Sequence, residues 1–216
     1  MVNMMIEQIM ERDVITLRKT DTIEEAIQKM SAHHIRHIPI VSEQGSVIGM
    51  VTDRDIKNAS PSIFETEKRQ LFIQRPVKDI MVLETITAHP LDFVEEISSV
   101  FFEHGIGCLP VVRRGKLVGI ITKTDLLRTF VRLTGADQPG SHLEVEVAQV
   151  TEGLADITSI LKEQHIQMLS VLVYPHANEA SKVLVFRLQT MHADHVMKLI
   201  RAKGYKVLWP MEQTIK

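Results

Sequence analysis

Two stretches of the chain set a hydroxyl and a carboxylate three residues apart, Thr52-Asp53-Arg54-Asp55 and Thr122-Lys123-Thr124-Asp125. Each follows an apolar run of strand character, which puts the Thr at a helix N-cap and the Asp in the first helical turn. Free N–H groups and the positive dipole end of a helix attract phosphate, and an Asp carboxylate can accept both hydroxyls of a ribose. Arg54 and Lys123 are the candidate phosphate partners, with Arg36 beside them. The same Thr and Asp also stabilise a helix start with no ligand present, so both readings stand at this point. Other reactive groups point to less. Cys108, with His104 four residues earlier, could be paired as nucleophile and base, but its place in an apolar strand suits a small buried hydrophobe. His33, His34 and His37 cluster, and His192 and His195 lie one helical turn apart, yet no ligand set at a known metal spacing completes either group. No metal and no catalytic residue is expected.

The elements that must position these groups form an internal repeat. His37-Ile38-Pro39-Ile40-Val41 recurs as Cys108-Leu109-Pro110-Val111-Val112 at an offset of 71, and the stretch ending in Thr52-x-x-Asp55 recurs at an offset of 70. The missing residue falls in the turn, SEQGS in the first copy and RRGK in the second, both Gly-containing hairpin loops. Each copy reads as an extended piece (Val14 to Thr16; Thr85 to Thr87), a helix, two strands and a second helix. The first helix carries Ile23, Ala26, Ile27 and Met30 in one copy and Val94, Ile97 and Phe101 in the other. Thr22 with Glu25 predicts a capping box, and Pro90 a first helical turn. Residues 57–76, with a charged ETEKRQ run, read as a solvated connector. The unit is β-α-β-β-α, and two copies would close their apolar sheet faces against each other about a pseudo-twofold axis. A Gly in the second strand of each copy, Gly49 and Gly119, would permit a turn or the close approach of a base.

Gly49-Met50-Val51-Thr52-x-x-Asp55 and Gly119-Ile120-Ile121-Thr122-x-x-Asp125, each beyond an Ile-Pro-Ile or Leu-Pro-Val strand, resemble the signature of a tandem cystathionine-β-synthase (CBS) domain pair, the Bateman module. The resemblance covers roughly residues 1–135. It implies a regulatory, non-catalytic module sensing AMP, ADP, ATP or S-adenosylmethionine. Carried over by position, ribose contacts fall on Thr52 and Asp55 and on Thr122 and Asp125; adenine contacts fall near Thr16, on His37, Ile38 and Pro39, near Thr87, and on Cys108, Leu109 and Pro110. Gly107 and Cys108 stand where the first copy has Arg36 and His37, so a different nucleotide or an empty site is expected in the second.

Beyond a turn-rich boundary at residues 134–141 the pattern changes. Leu143 to Val147 alternates as a strand, Leu154, Ile157, Ile160 and Leu161 mark a helix, and Met168 to Tyr174 and Lys182 to Leu188 read as strands. A helix through Val196, Leu199 and Ile200 leads to a last strand at Tyr205 to Trp209. This β-α-β-β-α-β order is ferredoxin-like. Val150 to Ile157 resembles the strand-to-helix turn of ACT domains, which implies an amino-acid site at Glu152, Gly153 and Leu154. The expected fold class is therefore α/β (α+β): CBS repeats over residues 1–72 (with connector) and 73–136, and an ACT-like domain over 142–216. This order resembles acetoin-utilization proteins of Bacillus-type bacteria, which implies control of a partner enzyme in acetoin or acetate catabolism. Both module types commonly self-associate, implying a homodimer.

Composition agrees with a folded chain: 216 residues, 44% apolar, with 25 basic against 27 acidic side chains. That balance offers no basic face to nucleic acid, and the apolar runs are far shorter than the ~20 residues a membrane span needs. Glu7 without a basic flank at the start argues against a secretion signal, and a cytoplasmic protein is expected.

Overall fold

The structure, a computed structural model, describes residues 5–175 and 181–211. The outer ends of the expected domains, residues 1–4 and 212–216, lie outside that range, as do residues 176–180. The chain divides into two compact units, Met1–Leu127 and Arg128–Lys216.

In the first unit the repeat is realised as α1 (Ile23–His33), β1 (His37–Val41), β2 (Val47–Thr52) and α2 (Asp53–Ala59), then α4 (Val94–His104), β3 (Cys108–Arg113), β4 (Lys116–Thr122) and α5 (Lys123–Leu133), with α3 (Thr66–Ile73) between them. The two hairpins share one register: His37 pairs with Thr52 as Cys108 pairs with Thr122, Ile40 with Gly49 as Val111 with Gly119, and each breaks register at the next residue. Thr22 and Glu25 form the expected capping box on α1. Pro90 is not helical; it lies in a turn closed by Asp92 N to His89 O, and α4 opens at Val94. The expected extended pieces, Val14 to Thr16 and Thr85 to Thr87, form no strand; the residue after each, Leu17 and Ala88, makes a single bridge, to Ile40 and to Val111. Ile27 is 39% exposed, whereas Ile23, Ala26 and Met30 are buried. The ETEKRQ run is exposed, as a solvated connector should be, and it is also helical: its good helix formers build α3, which Phe72 anchors into the core of the first repeat.

The two cores are built by exchange. Ile6 and Met10, ahead of the first repeat, are buried with Phe101, Leu109, Val111 and Ile121 of the second. Val77, ahead of the second repeat, is buried with Ile23, Ile38, Ile40 and Val51 of the first, and Met81 packs there too. Glycine makes this possible. A Cβ on Gly49 would stand 2.8 Å from Val82 O, and one on Gly119 would stand 2.5 Å from Met10 Sδ and 3.0 Å from Glu11 O. Met50 and Val82 exchange backbone hydrogen bonds of 2.9 Å, as do Glu11 and Ile120. These glycines therefore admit the leading segment of the other repeat, not a base. The apolar faces are closed within two separate cores, each completed by a borrowed segment.

The second unit is β5 (Ser141–Val147), α6 (Val150–Glu163), β6 (Met168–Pro175), β7 (Lys182–Leu188), α7 (Asp194–Ala202) and β8 (Lys206–Trp209), with a four-stranded antiparallel sheet in the order β6-β7-β5-β8. That is the ferredoxin-like order. Leu143, Val145 and Val147 with Leu184, Phe186 and Leu188 meet Ile157, Ile160, Val196 and Ile200 in one core. Among the described residues no helix is long and apolar enough to cross a membrane.

Candidate functional site

The Thr-x-x-Asp motif takes one conformation in both copies. Thr52 Oγ1 accepts from Asp55 N at 3.2 Å, while Asp55 Oδ2 accepts from Thr52 N at 2.9 Å and from Thr52 Oγ1 at 2.7 Å. Thr122 and Asp125 repeat these three bonds, in the same order, at 3.3, 2.9 and 2.6 Å. The cap engages Asp55 through Oδ2, which leaves Oδ1 as an acceptor.

Around the first motif lies a cleft of about 520 Å³. The start of β1 brings Arg36 and His37, the end of β2 brings Met50 and Thr52, and α2 brings Arg54 and Asp55. Cys108 and Lys123 enter from the second repeat. The exchanged segment that pairs with Met50 contributes Val82, Glu84, Thr85 and Ile86, and the turn after α4 contributes Gly105, Ile106 and Gly107. Seven of the expected residues thus share one cleft: Arg36, His37, Thr52, Arg54, Asp55, Cys108 and Lys123. The others do not line it. Ile38 and Leu109 are fully buried in the two cores, and Pro39 and Pro110 are buried beside them, their carbonyls accepting from Leu17 N and Ala88 N. The apolar walls come instead from Met50, Val82, Ile86 and Ile106. Thr16 lends its carbonyl to Lys29 Nζ at 3.0 Å, and Thr87 is exposed. Thr122 and Asp125 belong to the pseudo-equivalent position, where Glu11 runs beside β4.

The exchange explains what the sequence pattern missed. Thr85 lies two residues before the expected Thr87, and its Oγ1 is buried with no hydrogen-bond partner. A buried hydroxyl is ordinarily satisfied, so this one is open to a partner that enters the cleft. Only the segment's placement against the first repeat, invisible in a linear pattern, identifies it.

The cleft concentrates cations: Arg36, Arg54 and Lys123 face Asp55 and Glu84, and Asp53 is held by Lys57 at 3.0 Å. That contact, more than any other, keeps the Asp53 carboxyl below its ordinary range. Burial lowers the His37 imidazole, with Asp53 opposing and Arg36 reinforcing. A Cβ on residue 107 would lie 2.8 Å from His37 Nε2, so Gly107 makes room for this ring. Burial, with a smaller contribution from Asp125, pushes the Cys108 thiol up to about 12, which makes it a poor nucleophile at neutral pH. Among the described residues no group of three or more His, Cys, Asp or Glu side chains could hold a metal.

In the second unit the expected amino-acid turn is not a turn. Gly153 lies within the first turn of α6, buried, where a Cβ would meet Val147 Cγ1 at 2.5 Å. Glu152 is exposed and Leu154 half-buried on the same helix.

The CBS-domain signature matches residues 6–62 and again 77–132, together just over half of the chain. The chain belongs to the CBS-domain family and carries the domain in tandem. It is 29% identical, over 84% of its length, to the uncharacterized protein MJ1225 of Methanocaldococcus jannaschii, and spans 59% of that protein. The crystal structure of a Vibrio cholerae chain assigned as an acetoin utilization protein, AcuB, is 31% identical with a TM-score of 0.55, covering 63% of this chain and 97% of that one. The CBS domain pair of protein MJ0100, crystallised with 5′-methylthioadenosine and S-adenosyl-L-methionine, is 28% identical with a TM-score of 0.52, covering 62% and 98%. Tandem CBS-domain proteins are typically regulatory and non-catalytic.

Proposed function

We propose that the protein is a regulator that binds a phosphorylated adenosine, of the AMP, ADP or ATP type, in the cleft at Thr52 and Asp55. The observation that carries this reading is the convergence there of a capped Thr-Asp pair with Asp55 Oδ1 left over, an unpartnered Thr85 hydroxyl and three cationic side chains. Asp55 and Thr52 take the ribose, Met50, Val82 and Ile106 flank the base, and Arg36, Arg54 and Lys123 meet the phosphates. The adenosine ligands of protein MJ0100's domain pair support the nucleoside part. The likeness to the Vibrio cholerae chain supports, as a further step, control of a partner enzyme in acetoin catabolism. Regulation requires that the ligand bind two arrangements of the protein unequally.

Calorimetric titration with AMP, ADP, ATP and S-adenosylmethionine tests the site. Saturable binding is expected, weakened about tenfold or more by Asp55→Asn, which keeps the cap's acceptor but loses the charge, and unaffected at this cleft by Asp125→Asn. Absence of heat and of thermal shift with all four would overturn the reading and leave a ligand-free oligomerisation scaffold. Unchanged growth of a deletion strain on acetoin would remove the metabolic assignment alone.

A further inference from the structure

We propose that the C-terminal unit holds a second, separate binding site, on the face of its sheet opposite the helices, for a small organic monocarboxylate. Strand alternation turns Leu184, Phe186 and Leu188 into the core, so Val183, Val185 and Arg187 face the other way. Such a face is ordinarily wet. Here Val185 is only 7% exposed. The turn that follows α5 is tied down onto the sheet: Ser170 Oγ donates to Thr134 O at 2.8 Å, and Arg187 donates through Nη2 to Gln138 O at 2.8 Å. Gly135, at positive φ, lies so near that a Cβ would meet Leu169 Cβ at 3.1 Å.

Beneath this roof is a cleft of about 230 Å³ with Leu172 and Val185 on its apolar side and Thr134, His142, Tyr174 and Arg187 on its polar side. Arg187 is half-buried, makes no ion pair among the described residues, and keeps a buried Nε–H with no acceptor. Glu144, diagonally across on β5, makes no ion pair with it and is instead hydrogen-bonded with His142 Nε2 at 2.9 Å. A guanidinium fixed at one end and without an ion-pair partner is matched by a carboxylate, whose paired oxygens fit its fork of donors. No acidic side chain lines the cleft, so an ammonium has no partner. The ligand is therefore a simple carboxylate with a short apolar tail and not an amino acid. With less than half the volume of the nucleotide cleft, the site also excludes a nucleotide.

The test titrates the intact, ¹⁵N-labelled protein with 4-methylpentanoate and with leucine, the same carbon frame carrying an added ammonium, and follows amide shifts. The expected result is saturable shifts on β6, β7 and the turn at Thr134 with 4-methylpentanoate, and binding of leucine about tenfold weaker or worse. Arg187→Gln is expected to weaken the carboxylate about tenfold, and Ala136→Phe, an exposed rim position, to block it by filling the cleft. If Arg187→Gln unfolds through loss of its bond to Gln138, Ala136→Phe decides. Leucine binding as tightly as 4-methylpentanoate, shifts that fail to saturate, or binding unchanged in Ala136→Phe would each overturn the proposal.

Discussion

His37 connects the charge of the cleft to solution pH. Burial holds its imidazole below the value of about 6.5 found in an unfolded chain, so it is neutral at pH 7. Between the folded and unfolded values the unfolded chain binds the extra proton, so the neutral ring's contribution to stability is full above about pH 6.5 and is lost as pH falls through that window. The urea midpoint of the native protein is expected to drop more between pH 7.5 and 5.5 than that of His37→Gln; equal drops would show that His37 does not carry the effect. A bound phosphate acts in the opposite direction on the same ring, because it favours the imidazolium. The AMP phosphate itself takes up a proton near pH 6, so the readout is the difference between proteins: as pH falls from 7.5 to about 6, the AMP affinity of the native protein is expected to gain relative to that of His37→Gln. At this scale the sequence was legible where a residue's role is local. Thr52 and Asp55 were readable as a helix cap because capping needs those two groups at that one spacing. Ile38 and Leu109 were misplaced because, in a strand, neighbouring positions point to opposite faces, and the pattern alone did not say which face meets the ligand.

The presence of each helix followed from periodicity wherever one face is apolar, as in α1, α4, α6 and α7, and the strands of the second unit fall within a residue or two of their expected ranges. The misreadings came from tertiary contacts that no local window holds. α3 forms from a run of charged residues because Phe72 at its end is buried in the first repeat. Gly153 resembles a turn glycine but is a packing glycine, since α6 crosses β5 so closely that Val147 occupies the space of a side chain. Two effects compete on substituting it. Alanine gains about 1 kcal/mol of helix propensity over glycine, while a methyl forced against a β-branched neighbour costs about 1–3 kcal/mol because Val147 has little rotameric freedom. The clash at 2.5 Å is with the side chain's stiff end, so the cost prevails. Gly153→Ala is expected to lower the stability of the second unit by up to about 2 kcal/mol in chemical denaturation. A neutral or stabilising result would mean that α6 shifts freely over the sheet.

The exchange of leading segments ties the two repeats into one compact unit and assembles the cleft. Val77 and Ile6 are pseudo-equivalent, each fully buried, and each lies in the core of the repeat it does not belong to. Duplication alone would leave two modules on a tether; here neither core is complete without the other copy's leader. The same geometry places Thr85 and Ile86 opposite Thr52 and Asp55, so a ligand bound there spans both repeats. Truncating Ile6 or Val77 to Ala removes well-packed methyl groups and is expected to cost about 2–4 kcal/mol. The damage should cross over. Hydrogen exchange in Val77→Ala is expected to lose protection first in β1 and β2, and in Ile6→Ala in β3 and β4. Ligand affinity divides the two variants further. Val77→Ala loosens the segment that carries Thr85 and should weaken nucleotide binding at the Asp55 cleft, whereas Ile6→Ala acts on the other repeat and should leave affinity closer to native under conditions where both remain folded. Deprotection confined to the repeat nearest in sequence would refute the exchange as the source of cooperativity, because it would show that each leader stabilises its own copy.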